Sequence, residues 1–89
     1  MKSNISDAFR GLYAQLPGRI RKLAQRSYQL WREDMRHPGL NFKCVNRSQN
    51  IYAIRVGLHW RALGLLDNDT ITWFWIGSHA EYDRLLDIS

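Results

Sequence analysis

Four residues have types and spacing suited to chemistry on a phosphodiester: Arg55, Arg61, His79 and Tyr82. Arg55 lies in IYAIRV and Arg61 in HWRALGLL, two successive apolar stretches that alternate as strands do. His79 and Tyr82 follow a third such stretch, in WFWIGSHAEYDRLL. Guanidinium groups donate paired N–H bonds to non-bridging phosphate oxygens, and an imidazole can move a proton near neutral pH. That set suffices to cleave RNA through its own 2′-hydroxyl without a metal ion. Lys43, from a preceding strand, and His59, beside a turn, can add backbone contacts. Arg19, Lys22 and Arg26 form a separate basic row at helical spacing.

Each residue also has an ordinary structural role. Arg55 can pair with Asp67 or Glu81, His79 can cap a helix start, and Tyr82 can be a core aromatic with its hydroxyl at the rim. His59 reads as an exposed residue at a hairpin. The helical cations read as a solvated face. His37, before Pro38, reads as a cap of a helix C-terminus. Together, the residues point to an anionic ligand, nucleic acid above all.

These residues must be held by a sheet. Tyr52, Ile54 and Val56 share one face of residues 51–56, while Ile51, Ala53 and Arg55 share the other. Gly57-Leu58 reads as a two-residue turn with glycine first. In residues 59–66, His59, Arg61, Leu63 and Leu65 share a face. Asp67-Asn68-Asp69 is the next turn. Residues 70–76 carry β-branched and aromatic side chains on both faces, as a central strand does. Residues 40–45 make a shorter strand expected to pair antiparallel with 51–56. Ser78 and Glu81 have capping-box spacing for a terminal helix over 79–86.

The first half of the chain is helical in period. Ser6 is placed as an N-cap, and Ile5, Ala8, Phe9, Leu12, Tyr13 and Leu16 recur at helical spacing. A second helix is predicted over residues 17–36, opened by Pro17 and stopped by His37-Pro38-Gly39. No strand is read before these helices. The expected fold is α+β: an N-terminal helical hairpin on a three- to four-stranded antiparallel sheet, with a short C-terminal helix, in a single domain over 1–89.

Composition narrows the function. Eighty-nine residues allow one modest core, and hydrophobic residues at 45% favour a folded domain. The net charge of +5 favours an anionic partner. The single cysteine, Cys44, allows no internal disulfide and suits a reducing compartment. No apolar run has transmembrane length, so no membrane partner is expected and a cytoplasmic location is. There is no phosphate loop, dinucleotide fingerprint or His-Glu-x-x-His motif, and no metal or cofactor is expected.

The order of segments resembles the RelE/ParE superfamily of bacterial toxins from toxin–antitoxin modules. The likeness is carried by HPGLNFKCV, IYAIRVGLHWRAL and WFWIGSHAEYDRLL, and it is nearest to RelE- and HigB-like members. The resemblance implies a ribosome-dependent messenger-RNA endonuclease, or mRNA interferase, that inhibits translation. Arg61 and Arg55 would hold the scissile phosphate, His79 would be the acid–base residue, and Tyr82 would position a base or assist proton transfer. Lys43 would hold the RNA backbone, with His59, Arg19, Lys22 and Arg26 as further RNA contacts. Implied partners are a cognate antitoxin, the ribosome with its mRNA, and operator DNA through the antitoxin complex. The superfamily also includes inhibitors of DNA gyrase, and a catalytically inactive module that only binds antitoxin is a further alternative.

Overall fold

A computed structural model describes residues 1–88. Strand β1 (Lys2–Ile5) is followed by helices α1 (Asp7–Ala14) and α2 (Gly18–Glu33), then a 3-10 turn (Pro38–Leu40). Strands β2 (Lys43–Asn46), β3 (Ile51–Val56), β4 (Trp60–Asp67) and β5 (Thr70–Ser78) lead into α3 (His79–Ile88). The sheet has the order β1-β5-β4-β3-β2, with β1 parallel to β5 and every other pair antiparallel.

The α+β class holds, but the sheet is five-stranded and mixed rather than three- to four-stranded and antiparallel. The difference is β1. Lys2-Ser3-Asn4-Ile5 has one apolar residue and mostly exposed side chains, so it carries no burial pattern. What orders it is backbone pairing along β5, continued by Lys2 N–H to the Asp69 carbonyl at 2.8 Å and Ser6 N–H to the Trp73 carbonyl at 3.0 Å. The added strand leaves β5 in the sheet interior, as its two-faced apolar composition requires.

Ser6 caps α1 by accepting the Phe9 N–H at 3.1 Å. Helix α2 begins after Pro17, which is its N-cap rather than its first turn, and ends at Glu33, three residues short of the expected stop. His37 therefore caps no α-helix C-terminus. Its Nδ1 accepts the Gly39 N–H at 3.0 Å and so caps the 3-10 turn, which sinks Leu40 into the core. That turn consumes the start of the strand expected over 40–45, and β2 begins at Lys43.

Both N-terminal helices cover one sheet face, α1 against β5 and α2 against β3. The core between them holds Leu16, Ile20, Trp31, Ile54, Val56, Ala62, Ile71, Trp73 and Ile76. Trp31, 1% exposed, meets Trp73 edge-on at 5.5 Å and Phe42 at 6.0 Å between ring centres. The opposite face carries a smaller cluster of Ala53, Leu63 and Tyr82, flanked by Phe74, Trp75 and Leu86. No helix among the described residues is long and apolar enough to cross a membrane.

A bulge in β5 decides what that second face displays. Leu63 is opposite Trp75 but Gly64 is opposite Trp73, so Phe74 is the extra residue. Alternation beyond Phe74 is shifted by one. Trp75 and Gly77 therefore turn to the face of Leu63 and Arg61, while Ile76 stays in the core. A Cβ on Gly77 would lie 2.5 Å from the Trp75 ring, so only glycine leaves the ring this position.

Candidate nucleic-acid interface

The site is built on the sheet face away from α1 and α2. Arg55 and Arg61 are direct cross-strand partners in the β3–β4 ladder, and Arg61 is in turn opposite Gly77 of β5. Lys43 is opposite Ala53, two positions along β3 from Arg55, so it joins the same face from the sheet edge. The two-residue turn read from the sequence would have set Arg55 opposite Trp60 and Arg61 on the other face; the observed connection sets Arg55 opposite Arg61. The connection from β3 to β4 is three residues, 57–59, rather than two. Gly57 adopts φ 64°, and a Cβ there would meet the Leu23 side chain at 3.1 Å.

That turn holds both ends of the site. Arg61 Nη1 donates to the Trp60 carbonyl at 2.8 Å and more weakly to the Leu58 carbonyl at 3.4 Å. The His79 backbone N–H donates to the His59 carbonyl at 2.7 Å, tying the start of α3 to the hairpin. His59 contributes this carbonyl, and its side chain is exposed.

Helix α3 starts through the expected capping box. The Glu81 N–H donates to Ser78 Oγ at 3.2 Å, and the Ser78 N–H and hydroxyl donate to Glu81 Oε1 at 3.2 and 3.0 Å. The Glu81 carboxyl is held below the usual carboxylate range, first by the backbone bond from Ser78 and then by its hydroxyl. With Ser78 as the cap, His79 is free of that task.

Tyr82 is 6% exposed, and its ring is the floor of the site. The His79 ring stacks on it with centres 6.1 Å apart and 23° between planes, and Arg61 Cζ lies 6.0 Å from its centre. Burial pushes the Tyr82 phenol above its usual pKa, against the pull of Arg61. The phenol is therefore protonated at neutral pH. Burial, and then the Arg55 charge, lower the Arg61 pKa, while Tyr82 and Asp83 act the other way.

Neither Arg55 nor Arg61 makes a carboxylate ion pair among the described residues; the pairs present are Arg10 with Asp7 and His79 with Asp83. Asp67 and Glu81 do not neutralise Arg55. Its Nε is buried without a hydrogen-bond partner. No three His, Cys, Asp or Glu side chains converge among the described residues. The face can thus bind an anion on guanidinium groups beside an imidazole.

Arg19, Lys22 and Arg26 are exposed on α2, whose buried side packs on the other sheet face. The fold does not bring them to the Arg55–Arg61 pair. Sequence reasoning passed over Asp83, although its four-residue spacing from His79 on a helix signals a neighbour. It also passed over Trp75, whose face is set by the bulge and has no signature in the alternation.

A mixed five-stranded sheet thus carries two helices on one face and the Arg55–Arg61 pair, Tyr82 and His79 on the other. The chain belongs to the ParE-like toxin domain family, whose model matches residues 18–84. No match of comparable strength is found among curated proteins. Among solved structures, the chain is similar to the toxin–antitoxin complex RelB–RelE of Methanococcus jannaschii, with a TM-score of 0.71, 23% identity, and coverage of 91% of this chain and 96% of that one. The complex RelBE2 of Mycobacterium tuberculosis gives 0.64 and 20% identity over 88% of this chain and 96% of that one. A copper-bound mutant toxin from Helicobacter pylori gives 0.62 and 14% over 91% and 97%.

Proposed function

We propose that this protein is the toxin of a toxin–antitoxin pair and that it is a metal-independent endoribonuclease acting on messenger RNA at the ribosome. The observation that carries this reading is the Arg55–Arg61 pair. Two cations stand opposite each other with no carboxylate ion pair among the described residues, within one shared contact, Tyr82, of His79. Like charges directly opposite in a sheet destabilise it, so such a pair is expected where an anion is bound. In the reaction, the arginines hold the non-bridging oxygens as charge develops. The 2′-oxygen bonds to phosphorus as its proton passes to the His79 imidazole. The bond from phosphorus to the 5′-oxygen breaks, and that oxygen takes a proton from water. The products are a 2′,3′-cyclic phosphate and a 5′-hydroxyl end. Tyr82, buried and stacked, supports His79 and Arg61 rather than meeting the RNA first.

A cognate antitoxin as partner is supported by the family, by the +5 charge, and by the two similar structures that are toxin–antitoxin complexes. Binding operator DNA would belong to that complex. The test is single-turnover cleavage of a programmed ribosome by purified wild type and His79→Ala. The variant should be slower by roughly two to four orders of magnitude, with antitoxin binding unchanged. Equal cleavage by the folded variant removes His79 from the mechanism. No cleavage by wild type, with inhibition of supercoiling by gyrase, moves the protein to the gyrase-directed members.

A further inference from the structure

Asp83 is the acidic side chain that reaches His79. Its Oδ2 lies 3.5 Å from His79 Nε2, one helical turn along α3, and both side chains are about half exposed. Tyr82 stacks on the face of the same imidazole. The ring is therefore restrained on a face and on one edge. Asp83 directly follows Tyr82, whose ring is shared by His79 and Arg61. Around His79, then, stand Tyr82 and Asp83 from α3 and the His59 carbonyl from the turn, with Arg61 on the same Tyr82 ring. Glu81 is committed to the capping box.

We propose that Asp83 is a positioning residue for His79: it accepts the Nε2–H, leaving the Nδ1 lone pair as the base that receives the 2′-hydroxyl proton. This deepens the ribonuclease reading and rests on it for the reaction, but the pairing itself stands on geometry. The carboxylate holds the ring's orientation and tautomer before proton transfer. Asp83 does not touch the RNA.

Two measurements test this. The first needs no activity. Nitrogen-15 shifts of the His79 ring, recorded at a pH where it is neutral, should show a protonated Nε2 and an unprotonated Nδ1 in wild type. Asp83→Asn keeps an oxygen acceptor and should preserve this pattern. Asp83→Ala should move both shifts toward tautomer-averaged values and weaken the contacts between the His79 and Tyr82 rings. A wild-type ring protonated at Nδ1, or shifts indifferent to Asp83→Ala, overturns the pairing.

The second is a double-mutant cycle on ribosome cleavage. Asp83→Ala should lower kcat about tenfold to a hundredfold with KM within about twofold, and Asp83→Asn should recover most of it. In the His79→Ala background, Asp83→Ala should cost nothing more. An equal loss in both backgrounds overturns the positioning role and makes Asp83 merely structural. A wild type that does not cleave, yet shows the expected ring shifts, overturns the ribonuclease reading and leaves the pairing established.

Discussion

Arg55 and Arg61 face each other across the antiparallel β3–β4 ladder, each with the other's positive charge as its cross-strand neighbour. Like charges directly opposite in a sheet work against folding. Arg55→Thr should therefore raise stability by about 0.2–1 kcal/mol in chemical denaturation, because it removes the like-charge opposition and places a good strand former there. The same variant should bind RNA less tightly and with a shallower salt dependence. A less stable variant would mean that Arg55 holds the sheet together and is not held by it.

The capping box links the stability of α3 to acid pH. Ser78→Ala should cost about 0.5–2 kcal/mol, since the Ser78 hydroxyl accepts the Glu81 N–H and donates to its carboxylate. Because the folded state depresses the Glu81 pKa, its contribution is complete above the unfolded carboxylate value. It is lost as pH falls through the lower folded value. Denaturation curves from neutral to acid pH should show this increment in wild type. It should be missing from Glu81→Gln, and parallel curves for the two proteins would contradict the assignment.

Tyr82 has the opposite sign at alkaline pH. Its pKa is raised by burial, so its contribution is complete below the unfolded phenol value of about 10 and is lost as pH rises through the higher folded one. Tyr82→Phe keeps the ring beneath His79 and Arg61 and should abolish that alkaline loss. Tyr82→Ala removes a buried aromatic and should cost about 3–5 kcal/mol at any pH. The check is stability against pH from neutral to strongly alkaline for all three proteins. An alkaline loss that persists in Tyr82→Phe would assign it to another group.

The sequence by itself determined β3, the alternation within β3 and β4, and the capping of α1 and α3; the three-residue connection 57–59, not the two-residue turn expected, brings Arg55 and Arg61 onto one face. These are local rules: alternation fixes a face once a strand exists, and a cap needs only four residues. Tertiary structure decided the rest. Strand β1 exists because β5 has an edge to pair, a cause lying some seventy residues away in the chain. Residues 34–36 leave the helix although their period continues it, and the 3-10 turn buries Leu40 beneath Trp31's neighbours. The bulge at Phe74 turns Trp75 and Gly77 toward Arg61, because one extra residue inverts every later side chain of a strand. The separation of Arg19, Lys22 and Arg26 from Arg55 and Arg61 was equally beyond the sequence. Charge spacing shows which face of a helix is basic, but only packing shows which side of the sheet that helix covers.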